Sequence, residues 1–115
     1  MTTDERMIKS GDVLGTTLRD AGEHKLGTIR EIYFDRSTGH ARFAILELSS
    51  LFGTGGKFHP LPWRALRFDD LSGSYVTALT KDLVNDSPAY DRDQLADASY
   101  AWGELTERYF SAPAG

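Results

Sequence analysis

Hydrophobic and polar positions alternate with a period near two along the first two thirds of the chain, in short segments separated by turn residues. This alternation is typical of β-strands that bury one face. Six segments follow the pattern: 12–18, 25–34, 41–48, 58–62, 65–68 and 75–79. Six short strands with regular turns predict a small antiparallel β-barrel or sandwich.

Irregular points within these segments indicate how the strands bend. The alternation in 25–34 changes phase, as a bulged strand would. Leu14-Gly15-Thr16 recurs as Leu26-Gly27-Thr28, and a glycine inside a strand marks a bulge or a close backbone approach. Pro60 and Pro62 cannot donate ladder hydrogen bonds. We therefore expect strong coiling, as barrel closure requires, and a fourth strand that lies at a sheet edge or leaves the sheet early.

The C-terminal third follows a helical period instead. Asp97 is the expected N-cap, and Gly103 weakens the helix by roughly 1 kcal/mol relative to alanine. A helix of this kind depends on packing, either as a cap on one barrel mouth or across a dimer. Its apolar stripe comprises Leu95, Ala98, Trp102, Leu105 and Tyr109.

Composition narrows the class of protein. A chain of 115 residues fits one domain, and the absence of cysteine excludes disulfides and thiolate metal sites. A net charge of −4 makes nucleic acid an unlikely partner. The start of the chain does not resemble a secretory signal, and apolar runs fall short of the ~20 residues of a membrane helix. A cytoplasmic location is therefore expected by default.

Candidate chemistry is sparse. The loop Gly53-Thr54-Gly55-Gly56-Lys57 lacks the Gly-Lys-Ser/Thr ending and the following helix of a phosphate-binding loop. The three histidines lack metal-site spacing, and the paired aspartates lie in turns. We expect no catalytic residues, no metal and no cofactor. The positions most suited to touch a ligand or partner are Gly55, Gly56, Lys57, His59, Trp63 and Arg64.

Several motifs, in this order and spacing, resemble the PRC-barrel family. They are Gly11-Asp12-Val13-Leu14-Gly15, Gly27-Thr28-Ile29, Tyr33-Phe34-Asp35, Phe43-Ala44-Ile45-Leu46, Phe52 to Lys57 and Leu61-Pro62-Trp63. The resemblance implies a six-stranded β-barrel over residues 8–80, followed by an irregular link and a helix in 81–115. Related barrels occur in the photosynthetic reaction-centre H subunit and in the ribosome-maturation factor RimM. The resemblance supplies no catalytic residues.

Three functions are compatible with these patterns. The first is a non-catalytic interaction or regulatory module that forms a homodimer through strand edges and the aromatic helix. Its expected interface comprises Leu95, Trp102, Leu105, Tyr109 and Phe110. The second is a small-ligand or anion-binding protein with its site near the glycine-rich loop. The third, by analogy to RimM, is an accessory role in ribosome or RNA metabolism.

Overall fold

A computed structural model describes residues 7–48 and 57–111 of the chain. These residues form six strands and four helices, of which the longest is the C-terminal one. The strands are β1 (Thr17–Arg19), β2 (Lys25–Phe34), β3 (Ala41–Leu48), β4 (Phe58–Pro62), β5 (Leu66–Asp69) and β6 (Ser74–Thr77). The helices are α1 (Ser10–Val13), α2 (Lys81–Asn85), α3 (Arg92–Leu95) and α4 (Ala101–Ser111). A 3-10 turn, Trp63–Ala65, joins β4 to β5.

The sheet is mixed and open, so the prediction of a closed, purely antiparallel barrel is wrong. Its order is β4-β3-β2-β1-β6-β5, and β1 pairs with β6 in parallel. The chain reverses three times between β1 and β4 and once between β5 and β6, but the 3-10 turn bends it without reversal. Four reversals leave β6 parallel to β1. In the described part of the chain, the result is a half-barrel whose end strands do not pair with each other.

The first predicted strand, 12–18, is also wrong over residues 12–16. Residues 10–13 form the single helical turn α1, which the Leu14 N–H closes on the Ser10 carbonyl at 3.0 Å. Gly15 has φ +88°, and its N–H donates to the Ile29 carbonyl at 2.7 Å. This turn allows Val13 to reach the core, and the strand begins only at Thr17. The bounds predicted for β2, β3 and β4 are confirmed.

Aspartate side chains stabilise all three turns that link antiparallel strands in the described residues. Asp35 Oδ1 accepts hydrogen bonds from the backbone N–H groups of Ser37 and Thr38, at 2.8 and 3.1 Å. These bonds hold the pKa of Asp35 below its ordinary value. Asp20 and Asp69 accept bonds from backbone N–H groups in the same way. Of the two acidic clusters in the sequence, Asp69-Asp70 lies at a turn as predicted, where the Asp69 carboxylate satisfies an N–H group that a tight turn leaves unpaired. The prediction is wrong for the second cluster, because Asp91 caps helix α3 and Asp93 lies in its first turn.

β3 is buried on both faces. Ala44 and Leu46 contribute to the inner cluster of the half-barrel, which also contains residues of β1, β2, β4 and β6. Phe43 and Ile45 point outward and contact a second cluster, which the C-terminal segment supplies through Leu95 and Trp102. The tail thus covers the outer face of the β2-β3-β4 half of the sheet.

The predicted continuous helix is divided into two. α3 ends at Leu95, and α4 begins at Ala101 after Tyr100, whose φ is +50°. Asp91, not Asp97, is an N-cap, and it forms a capping box with Gln94. Across the break, Leu95 and Trp102 still enter the same cluster, and the Trp102 indole N–H donates to the Leu95 carbonyl at 3.1 Å.

A substitution at Gly27 tests how closely β2 approaches β3. Gly27 lies on β2 opposite Leu48, and a Cβ atom at this position would collide with the Glu47 carbonyl of β3. We expect Gly27→Ala to lower the free energy of unfolding by about 1–3 kcal/mol, because backbone atoms must move to make room. Urea denaturation measures the change.

Gly11→Ala is the matched control, since a Cβ atom at Gly11 has no heavy atom within 4 Å. Its stability should equal or slightly exceed that of the wild type, because alanine favours the helical turn. Equal stability of the two variants would contradict the close approach of β2 and β3.

Candidate functional site

The residues predicted to touch a ligand do not converge on one site. Gly55 and Gly56 lie outside the described residues. Lys57 is exposed immediately before β4, whereas His59 is buried on the inner face of that strand. Trp63 packs against Tyr75 with ring centroids 5.5 Å apart. Arg64 extends away from them to helix α4, where it pairs with Glu107 at 2.7 Å.

His59 forms a structural hydrogen bond within the core. Its side chain is 5% exposed, and its Nδ1 lies 2.9 Å from Ser87 Oγ. The Ser87 hydroxyl donates to the Val84 carbonyl at 2.6 Å, so its oxygen is left to accept, and His59 Nδ1 must carry the proton. Burial lowers the pKa of His59, and a hydrogen bond to the Ser87 backbone opposes that shift. The pair ties β4 to the segment after α2.

The residues predicted for a dimer interface are mostly used within the chain. Leu95 and Trp102 are buried in the outer cluster, and Phe110 packs against the inner one. The Tyr109 hydroxyl donates to the Leu83 carbonyl at 2.9 Å. Leu105 remains 47% exposed. The dimer itself stays a prediction, but Leu95 and Trp102 have a role in the fold.

An aromatic pocket, not predicted from the sequence, lies where the β2–β3 turn meets the start of α4. It encloses about 510 Å³. The Trp102 ring is at the centre of its wall, with centroids 4.9 Å from Tyr33, 5.3 Å from Phe43 and 6.2 Å from Tyr100. All three contacts are edge-to-face, a favourable geometry for aromatic pairs. At the mouth, Phe34 is 55% exposed and Tyr100 is 52% exposed.

Backbone constraints fix the pocket wall. A Cβ atom on Gly103 would lie 3.3 Å from the Phe43 ring, so glycine is what allows α4 to close on β3. The left-handed φ of Tyr100 is uncommon for a residue with a side chain and costs of order 1–3 kcal/mol. Burial raises the pKa of the Tyr33 phenol, and the nearby Glu31 carboxylate adds to the shift.

Charged side chains surround the pocket, and most are already paired. The Arg42 guanidinium lies 3.6 Å from Asp35 and 3.8 Å from Glu107, and it stacks over the Phe43 ring at 5.4 Å. Glu104 pairs with Arg108 at 2.7 Å along the helix. These pairs orient the rim but leave little unmatched negative charge.

The two edge strands of the sheet, β4 and β5, differ in the backbone hydrogen bonds along their outer sides. Along β4, Pro60 and Pro62 lack N–H groups, and Phe58 exchanges two backbone hydrogen bonds with Tyr90, at 2.8 and 2.9 Å. β5 pairs with β6 alone among the described residues. Its outer edge therefore presents backbone groups without strand partners in the described range.

A comparison with known families decides the identity of this half-barrel. The sequence profile of the PRC-barrel domain matches residues 5–84, which include all six strands and all of α2 except its last residue. The chain belongs to the PRC-barrel domain family. It is also 34% identical over 70 residues to an uncharacterized protein of Deinococcus radiodurans. That similarity covers 61% of this chain and 24% of the relative, so the chain spans about a quarter of the relative's length.

The aromatic pocket lies at the boundary of the family match. Its β2 and β3 residues belong to the matched PRC barrel, whereas Tyr100, Trp102 and Gly103 lie beyond residue 84. Sequence periodicity missed the pocket because it joins residues about 60 positions apart in the chain. One local signal was available: Tyr33 and Phe34 are consecutive aromatic residues at the end of β2, where the register with β3 shifts, and both line the pocket.

Two further findings concern the described part of this PRC barrel. None of its helices has the length and apolar content needed to cross a membrane. Within the same residues, His, Asp and Glu side chains do not gather in groups of three or more that could hold a metal ion.

The buried His59–Ser87 pair predicts a pH dependence of stability. Because the native pKa of His59 lies below its ordinary value of 6.5, the unfolded chain binds this proton more readily than the native state. The contribution of neutral His59 to the free energy of unfolding is therefore fully present above about pH 6.5. It is lost as the pH falls towards the lowered native pKa. His59→Gln should flatten this fall between pH 7.5 and 5.5, as measured by urea denaturation.

His40→Gln provides the control, because His40 is exposed in the β2–β3 turn. It should retain the wild-type pH profile. A wild-type profile that is flat over this range, or that is changed equally by both substitutions, would rule out the assigned role of His59.

Proposed function

We propose that this PRC barrel is a non-catalytic interaction module that forms a homodimer by pairing the β5 strands of two copies. The observation that carries the proposal is the contrast between the sheet edges, since β4 is closed by prolines and Tyr90 while β5 pairs with β6 alone in the described residues. An unpaired strand edge is a template for another strand. A second copy of the chain offers the same edge, as a two-fold dimer requires.

Side-chain chemistry selects one register for this pairing. In a continuous sheet, directly opposed residues of two antiparallel strands face the same side. Because side chains alternate along a strand, two copies of β5 meet this condition only if the two-fold axis passes through a residue and not between two residues. An axis at Arg67 would place two guanidinium groups opposite each other, which is unfavourable. An axis at Phe68 places the two Phe68 rings together and sets Arg67 of each copy opposite Asp69 of the other. We therefore assign the axis to Phe68.

The exposure of these residues is consistent with that register. Phe68 is 38% exposed although it stacks on Tyr75, with ring centroids 5.3 Å apart. Arg67 is exposed and has no hydrogen bond or short ion pair within the described chain, although its charge helps to lower the pKa of Asp69. Four-residue strands form few inter-chain hydrogen bonds, each worth about 0.5–1.5 kcal/mol. Because association also costs translational and rotational freedom, we expect a weak dimer whose dissociation constant is no tighter than the micromolar range.

The non-catalytic part of the proposal rests on the use of the ionisable side chains. Asp20, Asp35 and Asp69 accept hydrogen bonds from turn N–H groups. Glu47 pairs with Arg30 at 2.7 Å, and His59 is bonded to Ser87 in the core. Groups committed to such bonds serve the fold, whereas an acid–base catalyst needs a titratable group directed at a substrate.

A single cysteine tests the register, because the chain has no cysteine of its own. Directly opposed residues of an antiparallel pair have Cα atoms about 4.5–5.5 Å apart, which is within the usual span of a disulfide. Phe68→Cys should therefore form a cross-linked dimer under mild oxidation, as seen by non-reducing electrophoresis. Leu105→Cys, on the exposed face of α4, should remain largely monomeric. The reverse pattern would favour the helix as the interface.

Charge substitutions test the same edge at equilibrium. Phe68→Lys places two ammonium groups on the axis and should weaken the dimer by roughly tenfold or more, as measured by analytical ultracentrifugation. Arg67→Glu should weaken it at low salt, with partial recovery at high salt because salt screens the repulsion from Asp69. Leu105→Lys should leave the dissociation constant unchanged. A monomeric wild type at high micromolar concentration would refute the dimer.

A further inference from the structure

Arg36 is the one rim charge of the aromatic pocket that is uncommitted within the described chain. It is exposed in the turn after β2 and lines the pocket, yet it makes no hydrogen bond or ion pair with other described residues. Arg42 is held by Asp35 and Glu107, and Glu107 also accepts from Arg64 at 2.7 Å. The unmatched charge at the pocket is therefore positive.

The rim carboxylates cannot serve as an equivalent site for a cation. Asp35 accepts from two turn N–H groups and lies beside Arg42. Glu104 is paired with Arg108. Glu31, which faces Tyr33, belongs to a neighbouring cavity whose rim also includes Arg30 and Arg92. A ligand with a positive group would have to displace an arginine from an existing pair.

The walls of the pocket are suited to an apolar body. Five aromatic residues line it, and its 510 Å³ lies within the usual range for small-molecule sites, about 300–1,000 Å³. The hydroxyl groups of Tyr33 and Tyr100 have no hydrogen-bond partner among the described residues, so both remain able to donate to a ligand. The uncommitted polar groups are thus an arginine and two phenols, all of which are hydrogen-bond donors.

We propose that this pocket binds a small apolar carboxylate, with its hydrocarbon or aromatic body against Tyr33, Tyr100 and Trp102 and its carboxylate on Arg36. The planar guanidinium of Arg36 can donate two parallel hydrogen bonds to a carboxylate. The pocket is already formed in the free chain, because the Trp102–Leu95 hydrogen bond and the Gly103–Phe43 contact hold its wall. A preformed site costs little ordering on binding.

This inference is independent of the proposed dimer. The pocket is built from the ends of β2 and β3 and from α4, whereas the dimer edge is β5 at the far end of the sheet order. Failure of either proposal leaves the other unaffected, because the ligand and the dimer are measured by separate experiments on the same full-length chain.

The test uses three naphthalene probes of similar size: 2-naphthoate, neutral 2-naphthylmethanol and cationic 2-naphthylmethylamine. Two-dimensional NMR titration of the full chain follows the Trp102 indole and Gly103 amide signals. We expect saturable shifts at these signals with naphthoate, weaker binding of the alcohol and the weakest binding of the amine. Arg36→Gln should weaken naphthoate by roughly threefold to fivefold, since exposed charge pairs are modest in strength, and should leave the alcohol unchanged.

Lys25→Gln is the matched control, because it removes the same unit of charge from an exposed position at the other end of β2. It should leave all three affinities unchanged. The proposal is overturned if naphthoate produces no saturable shift at the pocket, or if the amine binds as tightly as naphthoate. Equal naphthoate affinity in wild type and Arg36→Gln would also overturn it.

Discussion

The burial of β3 on both faces is the constraint on which the rest of the structure depends. One face of this strand, with Ala44 and Leu46, completes the interior of the half-barrel, and the other, with Phe43 and Ile45, is equally apolar. A six-stranded sheet of this size has no second sheet to cover that outer face. The C-terminal segment supplies the cover through Leu95 and Trp102, which lie on either side of the break at Tyr100.

The position of the C-terminal segment determines which edge of the sheet is covered and which edge is left unpaired among the described residues. The segment approaches β3 past the edge of β4, where Tyr90 forms a two-bond bridge to Phe58. It also meets the end of the β2–β3 hairpin at an angle, and the gap between them is the aromatic pocket. The opposite edge, β5, receives no such cover from the described residues. A single packing requirement thus accounts for a closed edge, a pocket and an open edge.

Local signals predicted much of the fold. β2, β3 and β4 follow from alternating apolar residues. The turns on either side of β2 follow from aspartate and glycine. The prediction of a purely antiparallel barrel failed because the 3-10 turn after Pro62 bends the chain without reversing it, which makes β6 parallel to β1. The periodicity of residues within a strand carries no information on the direction of that strand. The failure at 12–16 is different, since a single helical turn is too short to show a helical period.

The candidate sites were less predictable than the strands. Glycine-rich loops and isolated histidines draw attention in a sequence, but His59 proved to be a core residue with a structural partner. Arg36 and Tyr100 are ordinary residues in the sequence, and only the fold places them beside the same pocket, across about 60 positions. Pro60 and Pro62 correctly predicted that β4 lies at a sheet edge, whereas the unpaired edge of β5 can be recognised only when the order of the strands is known.

Among the described residues, this PRC barrel has one closed and one open sheet edge, and we propose that the open edge mediates self-association. Backbone hydrogen exchange, measured on the full chain from low to high micromolar concentration, tests it most directly. We expect the backbone amides of β5 to exchange more slowly as the protein concentration rises, while the exchange rates of the β4 amides stay the same. Concentration-independent exchange in β5, or slowing confined to β4 or α4, would contradict it.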